Sequence, residues 1–497
     1  MEVFGIEKIQ IADLERLLGS PVILYKESVT SLGECTLALV RNSETRYLIA
    51  KGSGPIFDEL EGEVNGEFKV CPTNHANRLV LNTYLPYTKP TTNKDGRPSI
   101  GLGDRLGEAT AGHIKALGDS GVFPYFAQQS IRELNLTGRT FDGVIDDAAY
   151  AVFQCGYTSG WGADGDHLKK LEEIEASLRC GATMITLDSS EMIDNSVNSL
   201  NEDELLARYN QVDEETRSLY EGLYKEKSFN IGGSSLTLDT TSLMKDVLIY
   251  GKALDFIQMV WETIPAFKND EAFLEVSVDE TAFTTDPKSH LLIALELKRR
   301  GVHLKTLAPR FAGEFQKGID YIGDLAQFER ELVIHEAIAL EHDYRLSVHS
   351  GSDKFSIFPI LAKHIDRPFH VKTAGTNWLE AMHVVALADP ALYRRMHEHA
   401  LARFEAATAF YVVTTDLSKV KPLSEVADDQ LSDYLKENNA RQLLHITYGY
   451  LLQDKDEKGS YLFRDEFFGL LAKEENLYQD LLAKHIGKHL ELLGWKK

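Results

Sequence analysis

Short apolar runs rich in β-branched and aromatic residues alternate, through the middle of the chain, with longer stretches in which apolar residues recur at helical spacing. Between Ser99 and Val385 the strand-like runs are Val122–Gln128, Tyr150–Tyr157, Ala182–Asp188, Phe273–Asp279, His303–Ala308, Arg345–His349 and Phe369–Thr373. Helical periodicity fills the gaps, over His167–Arg179, Glu202–Glu226, Ser242–Thr263, Ser289–Arg299 and Leu325–Glu341. Seven or eight β-then-α units predict parallel strands joined by crossover helices. The region supplies the roughly 250 residues that a closed (β/α)8 TIM-type barrel needs, and a doubly wound open sheet is the competing α/β architecture.

The flanks read differently. Residues 1–90 hold short β-rich runs at Ser20–Lys26, Cys35–Arg41, Arg46–Lys51 and Arg78–Tyr87, which predict an N-terminal β-containing appendage. The turn-rich, charged stretch Thr88–Pro98 marks its boundary with a barrel over residues 91–385. Residues 386–497 are almost wholly helical in period, with Pro390–Thr408, Ala427–Glu437, Ala440–Leu452 and Glu474–Leu493 the clearest segments, and predict a C-terminal helical cap.

Charge narrows the function. The 497 residues carry 53 Lys and Arg against 76 Asp and Glu, a formal net charge of −23 without any basic run. Such a chain lacks the footprint that binds nucleic-acid phosphates, so an anionic substrate has to be held by local cations. The four cysteines are scattered, which predicts neither a disulfide framework nor a zinc ribbon and fits a reducing cytoplasm. No window approaches about 18 uninterrupted apolar residues, and no membrane association is expected. A homo-oligomer is left open.

In a parallel barrel the chemistry stands where strands run out into loops. Four such places gather polar residues. Asp166 and His167 close the Gly-rich loop Tyr157–His167, at the predicted start of a helix. Alternation over Leu274–Thr281 puts Glu275, Ser277 and Asp279 on one strand face, where a buried carboxylate demands a metal, a cation or a substrate. Ser347 and His349 share a face in the next case, ahead of Ser350–Lys354, and His370 and Lys372 share one in the last. The loop Leu307–Tyr321 adds Arg310 and Lys317 as carboxylate clamps, with Glu314, Gln316 and Asp320 as oxygen donors. Asp188 ends its own strand-like run. Gly101–Gly107 is spaced G-x-G-x-x-x-G, behind Pro98, and is not a dinucleotide fingerprint, though Asp104 or Arg105 of that loop can serve a substrate site. No nucleotide cofactor is expected.

Taken together, SIGLGDRLGEATAGH (Ser99–His113), GYTSGWGADGDHLK (Gly156–Lys169), APRFAGEFQKGIDYIGD (Ala308–Asp324), VHSGSDKF (Val348–Phe355) and FHVKTAGTNW (Phe369–Trp378) resemble the tagaturonate/fructuronate epimerases of bacterial hexuronate catabolism. The resemblance runs from about residue 80 to the C-terminus. It implies a metal-dependent enzyme on a (β/α)8-type barrel that inverts C4 of a sugar acid, expected to work by retro-aldol chemistry. Carried onto this chain, it places the acid/base pair on Asp166 and Glu275. The ligands of a divalent metal (Zn, Mn or Ni) fall on His167, His349 and a residue of the GEFQKG segment, with Gln316 named and Glu314 the more usual hard-metal donor. Lys372, Lys317, Arg310 or Arg105 is then expected to hold the substrate carboxylate, with Asp188 a further substrate contact. The alternative is a ketose 3-epimerase or sugar isomerase acting through an enediol.

Overall fold

The computed structural model describes residues 9–43 and 45–496. It opens with an antiparallel sheet of β1 (Ile23–Leu32), β2 (Cys35–Arg41), β3 (Arg46–Gly52), β4 (Glu63–Asn65) and β5 (Phe68–Pro72), in the order β1-β2-β3-β5-β4. β2 is buried along its whole length because both sheet faces are covered. Cys35, Leu37 and Leu39 pack with Leu81, Tyr150 and Phe153, while Ala38 and Val40 pack with Ile9 and Leu14. The run Arg78–Tyr87, read above as β, lies instead largely in a helix, His75–Tyr84. The Asn74 side chain caps it by accepting from the Asn77 amide, and Arg78 bonds Asp146 at 2.7 Å, two anchors that an apolar run read alone does not reveal.

Eight parallel strands then close a barrel, which excludes the open doubly wound sheet. They are β6 (Ser99–Gly101), β7 (Phe123–Ser130), β8 (Gly162–Leu168), β9 (Met184–Asp188), β12 (Phe273–Val278), β13 (Thr306–Pro309), β14 (Arg345–Val348) and β15 (His370–Lys372). A hairpin of β10 (Lys227–Ile231) and β11 (Ser234–Leu238) is inserted after β9. Closure is made by β15 on β6, where Lys372 faces Gly101. Pro98 stands just before β6 and so does not interrupt it.

Two expectations are corrected here. Tyr150–Gln154 is the end of the helix Phe141–Gln154, not a strand, and the segment containing Asp166 and His167 is β8 itself, not a loop leading into a helix. β8 reads GADGDHL, with carboxylates on its inner face and small residues outside. At Gly165 a Cβ would lie 2.5 Å from Ser177 Oγ and 3.0 Å from Ile185, so the covering helix Leu171–Cys180 requires glycine there. The long helix expected over Glu202–Glu226 is two, Glu202–Tyr209 and Glu214–Tyr224, the second capped by Asp213.

The C-terminal region is helical, and its last helix, Glu475–Leu492, returns to the barrel along Thr110–Leu117. Gly112 permits that approach, since a Cβ there would sit 2.8 Å from Leu482 Cβ. Among the described residues no helix is long and apolar enough to cross a membrane.

Candidate active site

The inner faces of β8, β9, β12 and β15 meet on one ammonium. Lys372 Nζ lies 2.7 Å from Asp164 Oδ2, 2.7 Å from Asp166 Oδ1 and 3.0 Å from Glu275 Oε1, and it also bonds Thr186 Oγ1. The barrel register sets Thr186 and Thr306 on either side of Glu275; the Thr306 hydroxyl donates to that carboxylate at 2.5 Å, and the Thr186 hydroxyl lies between it, at 3.1 Å, and Asp164, at 3.0 Å. Burial opposes ionisation throughout, yet Lys372 together with His167 outweighs it at Asp166, and Lys372 together with His349 at Glu275, holding both well below the usual carboxylate range. Asp164 has fewer partners, and there burial wins, pushing its carboxyl up to about 6.

Above this layer stand two imidazoles. The pairing of β8 with β9 slips between Gly165 and Leu168, and His167 takes a left-handed backbone conformation, φ +53°. This bulge turns His167 toward the barrel mouth beside Asp166 instead of onto the outer face that alternation assigns it. His167 Nδ1 meets Asp166 Oδ1 at 2.8 Å, and its Nε2 lies 3.7 Å from Asp279 Oδ1. His349, at the end of β14, repeats the arrangement, with Nε2 2.7 Å from Glu275 Oε1 and Nδ1 3.2 Å from Asp279 Oδ1. Against the cost of burial, Asp166 holds the His167 imidazole well above its ordinary value, and Asp279 with Glu275 raises that of His349.

His167, Asp279 and His349 each offer a ligand atom, all within 4.8 Å of one another. Each imidazole turns one nitrogen to a buried carboxylate and the other toward Asp279, the carboxylate–histidine pattern that fixes ring orientation in metal sites. The positive charge the cluster draws from protonated imidazoles is charge that a divalent cation can supply instead. Two nitrogens and a carboxylate oxygen suit a divalent transition metal, so this donor set fits one. A second His/Asp group, Asp353 with His485 and His489, ties the last helix to the loop after β14; its carboxylate already bonds Arg441 and, at 2.9 Å, His485 Nε2.

The family model for tagaturonate epimerase (UxaE) matches residues 25–493. The chain belongs to the tagaturonate epimerase family. As a member it is an isomerase. The tagaturonate/fructuronate epimerase of Thermotoga maritima is 40% identical over 476 residues, 95% of this chain and 96% of its own length. Crystal structures of the fructuronate-tagaturonate epimerase of Cohnella laeviribosi, one native and one with a glycerol, match with TM-score 0.95 at 50% identity, over 97% of this chain and 99% of theirs.

In this member of the tagaturonate epimerase family the cluster opens into a cavity of about 390 Å³ over the C-terminal ends of the strands. His167, Asp279, His349, Gln316, Lys317 and Arg310 all line it. Gln316 Oε1 accepts from Thr414 N at 3.0 Å and from Gln442 Nε2 at 3.1 Å, so its amide oxygen faces the C-terminal segment, and the third group beside the two imidazoles is Asp279. Glu314 is exposed and lies 3.8 Å from Arg310. Lys372 is committed to the carboxylates beneath the cavity. Arg105 is buried against Glu133 at 2.7 Å and over the Tyr448 ring, away from the cavity wall. Asp188 accepts from the Ser190 amide and pairs with Lys169 at 3.4 Å. Asp279 was legible on the face shared with Glu275, whereas Asp164 and Arg132 carried no local signal.

Proposed function

We infer that the protein interconverts D-tagaturonate and D-fructuronate by inverting C4. The observation that carries this reading is the pair of imidazoles converging with Asp279 at the barrel mouth, each backed by a buried carboxylate that Lys372 keeps ionised. Membership of the family supports it across the whole barrel.

C4 is β to the C2 carbonyl and its hydrogen is not acidic, so a single enolisation cannot invert it. Cleavage of the C3–C4 bond can. The C4 hydroxyl loses its proton, the bonding pair passes to C3 as a three-carbon enediolate, and C4 becomes the aldehyde of tartronate semialdehyde. Rotation of that aldehyde presents its other face, the bond reforms, and the new C4 alkoxide takes a proton. His167, Asp279 and His349 are the residues that would hold a divalent metal, which when bound would supply Lewis-acid stabilisation of the keto-end oxygens. Asp166 and Glu275, on β8 and β12, are ionised at rest and serve as the bases for the C4 oxygen: a carboxylate takes the hydroxyl proton on cleavage and, once protonated, returns it to the new C4 alkoxide. The same carboxylates orient His167 and His349, and the two roles are separable by substitution.

The enediol alternative predicts a different isotope pattern. Turnover in D2O followed by NMR is expected to leave C3 of the product protonated, because the retro-aldol route never removes that hydrogen. Solvent deuterium at C3 in stoichiometric amount identifies a 3-epimerase instead.

A further inference from the structure

The reading above requires a seat for the substrate's carboxylate in a protein of net charge −23. Of the cations expected there, Lys372 and Arg105 are consumed by internal carboxylates, and the Arg310 guanidinium is turned to the Thr281 carbonyl and Glu314. Two cations on the cavity wall differ. Lys317 Nζ donates to Ser350 Oγ at 3.0 Å, and among the described residues no carboxylate forms an ion pair with it. Ser350 directly follows His349, which places this ammonium beside the imidazole cluster.

The second is Arg132, in the first turn of the helix Ile131–Thr137 that follows β7. Its guanidinium lies 4.8 Å over the Tyr411 ring and donates to the Phe410 carbonyl at 3.3 Å, so the C-terminal segment holds it in place. Its only ion pair among the described residues is a loose one, 3.8 Å to the exposed Glu280, and its Nε is buried without a partner. Both side chains line the same cavity, Arg132 against Phe410 and Tyr411 and Lys317 against Ser350. Arg132 is 37% exposed and Lys317 half-buried, so two cations face one cavity with only the loose Glu280 pair against them, an arrangement that an anion entering the cavity completes.

We propose that Arg132 and Lys317 form the clamp that binds the substrate's terminal carboxylate and selects sugar acids over neutral ketoses. The proposal rests on the epimerase reading for the identity of the anion. Arg132 offers a planar fork to the carboxylate and Lys317 a point charge next to the metal-ligand cluster. Both act by binding and touch no bond that breaks.

The test is steady-state kinetics with D-tagaturonate and with D-tagatose, which carries a hydroxymethyl where the uronate has its carboxylate. Variants are Arg132→Met, Lys317→Met and their double, with Arg132→Gln and Lys317→Gln run in parallel in case a Met variant fails to fold. Each single change is expected to lower kcat/KM for the uronate about tenfold to hundredfold, expressed in KM. The ratio of uronate to ketose kcat/KM is expected to fall with it, and to approach one in the double variant. Uronate KM within about threefold of wild type in both single variants overturns the clamp while leaving the epimerase reading intact. If wild type converts neither substrate, the epimerase reading fails instead, and calorimetric titration with D-tagaturonate decides the clamp. Binding that weakens in both variants supports it, and binding unchanged in both overturns it.

Discussion

Replacing Lys372 by Met removes the one ammonium shared by three buried carboxylates. Its Nζ lies 2.7 Å from Asp164, 2.7 Å from Asp166 and 3.0 Å from Glu275, and none of these side chains is more than 7% exposed. Asp166 and Glu275 keep His167 and His349 as partners. Asp164 keeps only hydroxyl contacts from Thr186, at 3.0 and 3.1 Å, and takes up a proton in the variant. Breaking a buried ion pair by removing one partner costs about 3–5 kcal/mol, part of which is here the cost of protonating Asp164. The cost depends on pH with a definite sign. Burial already raises the folded pKa of Asp164 to about 6 with Lys372 present, and the variant raises it further. Between the unfolded carboxyl pKa and that value the folded chain holds a proton the unfolded chain has released, so stability falls as pH rises through the window. Urea unfolding of metal-free wild type and Lys372→Met at pH 5.5, 7 and 8.5 is expected to show a deficit that grows with pH. Asp164→Asn in the Lys372→Met background is expected to recover part of it. A deficit under about 1 kcal/mol at pH 7, or no recovery in the double variant, refutes the reasoning.

Five further substitutions probe proton transfer, metal retention and the cost of a buried carboxylate. Asp166→Asn and Glu275→Gln are each expected to reduce turnover at least about hundredfold by NMR with metal content by elemental analysis unchanged, and near-normal turnover in either variant contradicts the two-base assignment. Asp279→Asn is expected to weaken metal retention on dialysis by at least about tenfold, and Gln316→Ala less so, because the Gln316 amide oxygen faces Thr414 and Gln442. Asp246 is buried with its carboxyl pushed up to about 8, so the folded chain loses stability as pH rises from the unfolded pKa through that value. Asp246→Asn, which stays neutral, is expected to raise the unfolding midpoint more at pH 8.5 than at pH 6, and an equal effect at both contradicts the assigned burial cost.

The strands that sequence patterning located are those whose inner and outer faces differ in polarity. Phe273–Val278 and His370–Lys372 alternate cleanly, and that alternation already turned Glu275 and Lys372 inward. β8 escaped because the site consumes its signal: its inner face is Asp164 and Asp166 and its outer face is Ala163 and Gly165, leaving no apolar run to see. The neighbouring stretch Tyr150–Gln154 is apolar on every side because that helix is covered by both the barrel and the N-terminal sheet, and continuous apolar runs do not distinguish helix from strand. The inward Lys372 was legible, and Asp166 and Glu275 were named as site residues, but Asp164 was not and neither was the convergence of all three on one ammonium, since they come from β8 and β12, far away in the chain. Arg132 had no signal at all, being one cation at a helix start until the C-terminal segment closes over it.

The central claim is the reaction. Purified protein is stripped of metal with a chelator, supplied with Mn, Ni or Zn in turn, and followed by NMR with D-tagaturonate. The stripped protein is expected to give no conversion, and D-fructuronate is expected to appear when a competent metal is restored. No conversion with any of the three contradicts it.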